Sequence, residues 1–284
     1  MRVVVAGAGG MLGRSLVATL EAAGHDVRPG TRPSVDIRSL ADCRAAAQDA
    51  DVVVNAAAWT DVDGAEAAEA AAFAVNATGA ANLAVAAREA GAGLVHVSTD
   101  YVFDGQATAP YREDAPLNPL GAYGRTKAAG EWAVRAEHPA PLLVRTAWLY
   151  GPGATSFVAT MARLADERDT VDVVDDQRGQ PTTTTDVAAY VLTLLERHAP
   201  AGTYHATSEG ETTWFGLARA VFEELGHDPD RVRPTTTDAF PRPAPRPSYS
   251  VLGHDRGDAV GARMPSWRAA LSATLPGVLE HARS

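Results

Sequence analysis

Val3-Val4-Val5-Ala6-Gly7-Ala8-Gly9-Gly10-Met11-Leu12-Gly13 stands at the head of the chain. A β-branched run leads directly into a glycine-rich turn, and Met11–Ala23 beyond it reads as a helix. Strand, glycine turn and helix in that order are the setting a dinucleotide fingerprint requires. There Gly7 permits a tight turn, Gly10 lets the backbone approach a pyrophosphate, and Gly13 lets helix and strand pack closely. The free N–H groups and positive dipole end of the helix would then face the phosphates. The spacing is G-x-x-G-x-x-G rather than G-x-G-x-x-G.

Outward from this turn the same alternation repeats. Val52–Val54, Leu94–Ser98 and Leu142–Arg145 read as buried strands, while Leu40–Gln48, Glu66–Ala90 and Ala122–Glu137 read as helices. Repeated strand–helix units with right-handed crossovers predict an α/β fold, a Rossmann-type doubly wound parallel sheet. After Gly151-Pro152-Gly153 the pattern weakens into helices over Ser156–Arg168, Asp186–Arg197, Trp214–Leu225 and Ser266–His281, short strands at Val171–Val174 and Thr203–Ala206, and a Pro/Arg loop from Arg233 to Pro247. We expect residues 1–150 to form the nucleotide-binding domain, with about 183–200 rejoining it, and 151–284 to form mainly a smaller C-terminal substrate-binding lobe.

Composition limits the partners. A net charge of −10 argues against nucleic acid and against an anionic membrane surface. The single cysteine, Cys43, excludes a disulfide framework within one chain and reads as a small packing residue. No signal-like N-terminus and no run of ~18–20 uninterrupted apolar residues is seen, so a soluble cytoplasmic protein is expected.

The strand ends carry the chemistry. Asn55-Ala56-Ala57-Ala58-Trp59-Thr60 offers small residues against which a flat cofactor can lie. The second strand offers Arg28 and Arg32 but no acid at its tip, which points to NADPH, with NADH also admitted; the alternative for both arginines is a solvated surface. Asp36-Ile37 follows. Leu94-Val95-His96-Val97-Ser98-Thr99-Asp100 places Thr99 on the same rim as the glycine turn, where its hydroxyl can polarise a carbonyl oxygen. Asp100 is read as a sugar ligand or a turn cap, and His96 as a core residue. Tyr123 and Lys127, four apart, share a helix face, so the ammonium should lower the phenol's pKa and make Tyr123 a general acid. Thr99, Tyr123 and Lys127 are therefore the catalytic candidates. Trp148 can cover an apolar sugar face or fill a core. Arg242 and Arg246 can grip a diphosphate or lie in a solvated linker.

Taken together, Asn55–Asp63, Ser98–Gly105, Tyr123–Glu131, Arg145–Gly151 and Val173–Thr182 resemble the dTDP-4-dehydrorhamnose reductase family, among the extended short-chain dehydrogenase/reductases. The resemblance runs from residue 1 to about 250. It implies hydride transfer to carbon 4 of a dTDP-4-keto-6-deoxyhexose, with Tyr123 protonating the new alkoxide. It implies that Gly7, Gly10, Met11, Leu12, Gly13, Asp36, Ile37, Ala57, Ala58, Trp59, Thr60, Tyr123 and Lys127 line the cofactor. Thr99, Asp100 and Trp148 would hold the sugar, with Arg242 or Arg246 on its diphosphate. Some relatives hold Mg²⁺ at a dimer interface; Glu21 is the only acid of the first helix, so no metal site is carried over, while a homodimer stays open. Two further readings remain: a 4-ketoreductase for another dTDP-deoxysugar of antibiotic biosynthesis, and a non-catalytic regulatory subunit of the same fold.

Overall fold

The computed structural model describes residues 1–282. Its central sheet uses β1 (Arg2–Ala6), β2 (Asp26–Gly30), β3 (Val52–Asn55), β4 (Gly93–Thr99) and β5 (Leu142–Thr146). The chain then runs through the short strands β6 (Leu149–Tyr150), β7 (Val171–Val174), β8 (Arg178–Gly179) and β9 (Thr182–Thr183) before β10 (Gly202–His205) completes the sheet. β11 (Thr212–Thr213) and β12 (Val232–Thr235) lie outside it. Helices α1 (Met11–Ala22), α2 (Leu40–Ala47), α3 (Val62–Ala67), α4 (Glu69–Phe73), α5 (Ala80–Glu89) and α6 (Ala122–Glu137) accompany the first five strands. α7 (Phe157–Glu167), α8 (Thr184–Glu196), α9 (Trp214–Glu224), α10 (Asp255–Ala259) and α11 (Trp267–Ala282) follow.

The six strands run parallel in the order β2-β1-β3-β4-β5-β10. The chain steps from β1 out to β2 and then returns to β3 on the other side of β1. That reversal opens a crevice beyond the carboxyl ends of β1 and β3, where ligands of such sheets sit. Pro29 falls on β2, an edge strand, where its missing N–H costs no ladder bond.

Both faces of the sheet are covered, which explains the unbroken Val runs of β1 and β3. On one face Val3, Val5 and Val54 pack with Leu12, Leu16 and Leu20 of α1 and with Val187, Val191 and Leu194 of α8. Leu16 and Leu20 are fully buried, each worth about 2 kcal/mol relative to exposure. Val4 and Val53 face Leu83, Ala84 and Ala87 of α5 and Cys43 of α2. A separate cluster, with Tyr150, Val158, Met161, Leu217, Phe222 and Leu271, joins α7, α9 and α11.

Two expectations are corrected. The helix expected over Glu66–Ala90 breaks at Ala68 (φ −133°, ψ 41°), and Ala74–Gly79 forms a π-helical turn. The wider turn turns Asn76 towards Trp59, where it accepts the Trp59 N–H at 2.8 Å, and it donates to Thr126 Oγ1 at 3.0 Å. The Pro/Arg loop starts later than expected, because Val232–Thr235 pairs parallel with β7. Glu69–Glu89 is long and apolar enough by composition to cross a membrane, and more than half of it is buried inside the protein, against α6, α2 and the sheet.

Candidate active site

The glycine turn holds its shape because side chains are absent. Gly7 has φ +81°, and a Cβ there would stand 2.5 Å from the Ala57 backbone nitrogen. A Cβ at Gly13 would stand 2.1 Å from the Gly7 carbonyl oxygen. Helix α1 therefore starts hard against the β1 and β3 ends. Gly10 is its N-cap, with no side-chain cap and no acid in the first turn, so its leading N–H groups stay available to an anion. Gly9, where a Cβ would meet nothing nearer than 3.7 Å, is the open side of the cradle.

A cleft of about 620 Å³ extends from this turn across the sheet's carboxyl rim. Of the residues singled out in the sequence, Gly7, Gly10, Met11, Leu12, Gly13, Asp36, Ile37, Ala57, Ala58, Thr60, Thr99, Asp100, Tyr123, Lys127 and Trp148 line this cleft. Three expected residues do not. The Trp59 ring packs beside Tyr123 and Ala65 and its indole N–H donates to Asp61 O at 3.0 Å. Arg246 pairs with Asp63 at 2.9 Å, and Arg242 lies 3.7 Å from the same oxygen. Both guanidinium groups are directed to the Asp63 carboxylate, not into the cleft.

At the tip of β2, Thr31 and Arg32 line the cleft, whereas Arg28 turns away to Gln48 O. Asp36 is clamped by Arg38 through Oδ2 at 2.6 Å and Oδ1 at 2.9 Å, and those hydrogen bonds hold its carboxyl down at about 2. With Arg32 and Arg38 against one engaged carboxylate, this rim is basic, which suits a 2′-phosphate better than a free 2′-hydroxyl.

Thr99 ends β4, in register with Thr146 of β5. Its hydroxyl accepts the Tyr101 N–H at 3.2 Å and donates to Asp100 Oδ1 at 2.8 Å. Asp100 is 3% exposed, and its Oδ2 has no partner among the described residues. Burial pushes its carboxyl up to about 6, against the pull of the Ser250 and Thr99 hydroxyls. The Ser98 and Thr146 hydroxyls, also on the cleft wall, are buried without hydrogen-bond partners among the described residues.

Tyr123 and Lys127 face the cleft from α6. The expected lowering of the phenol is not found. Burial, then the charge of Asp100, raises Tyr123, and the Thr99 hydroxyl opposes them. The Lys127 ammonium donates to Val97 O at 2.7 Å, and burial lowers it to about 8. Tyr123 is thus a fully protonated acid at neutral pH, and Lys127 keeps two of its three donors for a ligand.

Close packing fixes α6. A Cβ at Gly124 would stand 2.2 Å from Tyr101 O, and one at Gly130 2.2 Å from Asn76 O. Glu131, fully buried, pairs bidentately with Arg145 at 2.8 Å for both bonds. Burial alone would raise Glu131, but the Arg145 hydrogen bonds and charge outweigh it and hold the carboxyl at about 2. Tyr101 meets Tyr123 edge-on at 5.6 Å.

Trp148 closes the far end. Its φ of +46° is unusual for a bulky residue and costs on the order of 1–3 kcal/mol. The strain is offset by a stack on Trp214, centroids 3.6 Å apart and planes 6° apart, and by Gly179, where a Cβ would strike the indole at 2.5 Å. Asn76, Tyr101 and Thr146 were missed from sequence. Only Asn76 left a signal, a polar residue in an Ala-rich helix.

The comparisons with known proteins agree with this geometry. A family model described as RmlD substrate binding domain matches residues 1–279. A dTDP-4-dehydrorhamnose reductase of Streptomyces griseus is 50% identical, over 98% of this chain and 94% of that protein. A dTDP-4-keto-6-deoxy-D-glucose reductase of Streptomyces niveus is 47% identical, over 97% of this chain and 96% of that protein. The crystal structure of a dTDP-4-dehydrorhamnose reductase from Bacillus anthracis in complex with NADP superposes with TM-score 0.93 at 36% identity, covering 97% of this chain and 98% of that one. With the glycine cradle, the α6 Tyr–Lys pair and the strand order all in place over a near full-length match, the chain belongs to the RmlD substrate binding domain family.

Proposed function

We propose that this protein is an NADPH-dependent oxidoreductase that reduces the carbon-4 keto group of a dTDP-4-keto-6-deoxyhexose, dTDP-4-dehydro-L-rhamnose to dTDP-L-rhamnose being the first reading. The observation that carries it is Asp100 Oδ2, a buried carboxylate oxygen without a partner, in the same cleft as the protonated Tyr123 and the glycine cradle. An unpaired buried acceptor is costly, and a ligand hydroxyl would satisfy it.

The residues fit the cofactor. The α1 N-terminus and the Gly9–Gly10 edge would hold the pyrophosphate, Arg32 and Arg38 the 2′-phosphate, and Lys127 the ribose hydroxyls. When bound, NADPH supplies the hydride. The rest falls to side chains. A sugar hydroxyl would donate to Asp100 Oδ2, and the Thr99 hydroxyl, whose proton is given to Asp100 Oδ1, would rotate to donate to the keto oxygen instead. Tyr123, held neutral by burial, would deliver its proton to that oxygen as charge develops there. Trp148, stacked on Trp214, would present a flat apolar wall to the sugar. A cytoplasmic setting belongs to the same proposal.

A second reading, reduction of a different dTDP-keto sugar, is favoured by the Streptomyces niveus relative, whose identity of 47% is nearly that of the Streptomyces griseus protein. One assay separates them. The protein is incubated with NADPH or NADH and either dTDP-4-keto-6-deoxy-L-mannose or dTDP-4-keto-6-deoxy-D-glucose, and loss of nicotinamide absorbance is followed. Turnover of the first sugar with NADPH is expected. Turnover of only the second would replace the first reading, and no turnover with either would sink both.

A further inference from the structure

Helix α6 carries Tyr123 as its second residue, yet it has no cap of its own. Gly121 is the N-cap, without a side-chain hydrogen bond, and the first turn holds no acid. The cap is supplied by α3, where Glu66 Oε1 accepts the Ala122 N–H at 2.7 Å. Asp63, three residues earlier on the same short helix and so on the same face, holds the strap Pro241–Pro247. Ala244 N–H donates to Asp63 Oδ1 at 3.2 Å, Arg246 Nη2 donates to Oδ2 at 2.9 Å, and Arg242 Nη1 lies 3.7 Å from Oδ2. The strap has prolines at 241, 243, 245 and 247, which bar it from a sheet ladder, so side-chain anchors must fix it. Ala244 is 2% exposed, and Pro245 Cδ would lie 3.6 Å from a Cβ at Gly121. Strap, α3 and the first turn of the Tyr123 helix therefore meet at one point. Tyr101, edge-on to Tyr123, lies close enough to feel the charges of Arg246 and Asp63.

We propose that Glu66 and Asp63 are positioning residues for the reduction: Glu66 sets the start of α6 so that Tyr123 points into the cleft, and Asp63 sets the strap that packs against Gly121 beside the cleft-lining Tyr101. The proposal rests on the function proposed above for its kinetic arm. The two carboxylates act through different neighbours, so their loss has different signatures.

The test is a set of variants of the full chain. Glu66→Ala is expected to lower kcat about tenfold, with KM for the sugar and Kd for NADPH within about twofold, since a small misplacement of the reacting group costs rate more than binding. Glu66→Gln keeps the accepting oxygen and is expected to recover most of that loss. Asp63→Ala is expected to raise KM about tenfold with kcat within about threefold. Hydrogen exchange reads the device without turnover: the Ala122 amide should lose protection in Glu66→Ala but keep it in Asp63→Ala and Glu66→Gln, with the β1 and β3 amides unchanged in all three. Loss of protection across the whole sheet, equal falls in kcat and rises in KM in both alanine variants, or wild-type kinetics and exchange throughout would overturn the proposal. Wild-type protein inactive on every sugar would sink the function alone, and the exchange pattern would still decide the positioning.

Discussion

The glycine-turn end of the cleft is built from eleven consecutive residues and their backbone, whereas the Trp148 end is assembled from β4, β5, β8, α6 and α9. At the first end the requirement is the absence of side chains, at Gly7 and Gly13, and the working groups are main-chain N–H. At the second, the groups are side chains held off their own minima: a tryptophan with positive φ, a carboxyl with one oxygen unpaired among the described residues and a buried phenol. A general anion cradle can be local because every residue has an N–H. A site for a specific sugar must converge from several elements, and it carries strain that the rest of the fold sustains.

The largest expected effect tests the side-chain end. Tyr123→Phe removes the proposed proton donor and should lower kcat by roughly a thousandfold, within the ~10²–10⁴ range of general acid catalysis, while NADPH affinity by fluorescence titration stays unchanged. Wild-type turnover in this variant would move the acid elsewhere. Next comes the backbone end. Gly13→Ala places a Cβ 2.1 Å from Gly7 O and should abolish NADPH binding or folding, while Gly9→Ala, with 3.7 Å of room, should keep affinity within a few-fold. Equal behaviour of the two would show that shape does not govern the cradle.

The smallest effect concerns Asp100. Its pKa is raised to about 6 from 3.8, so the stability it contributes is complete below about 3.8 and lost as pH rises through about 6. Asp100→Asn should therefore melt higher than wild type at pH 8, by on the order of 2–3 kcal/mol, with the gap closing towards pH 4. A gap that is absent, or that grows towards low pH, would remove the strained carboxyl from the comparison.

Much of this was legible in the chain. The glycine turn, the Val runs and the rim position of Thr99 follow from local pattern, because a strand end and a helix start are set within a few residues. Tyr123 and Lys127 share a helix face because four residues make about one turn. Their interaction was not legible. Which way Lys127 Nζ points depends on Val97 O, a partner thirty residues distant, and burial raises the Tyr123 phenol that the ammonium was expected to lower. Arg242 and Arg246 were read from residue type as phosphate ligands or as part of a solvated linker, and Asp63, distant in sequence, pairs with Arg246 and draws Arg242 near.

The sequence by itself therefore determined the parallel sheet, the glycine turn and the shared helix face of Tyr123 and Lys127, since periodicity and the steric permissions of glycine are properties of neighbouring residues. Tertiary structure alone decided the burial of Tyr123, the unpartnered oxygen of Asp100, the strained Trp148 and the two carboxylates of α3, Glu66 on the start of α6 and Asp63 on the Pro241–Pro247 strap. Each of those depends on burial and on partners distant in sequence, and desolvation acts only once the chain has closed around the group.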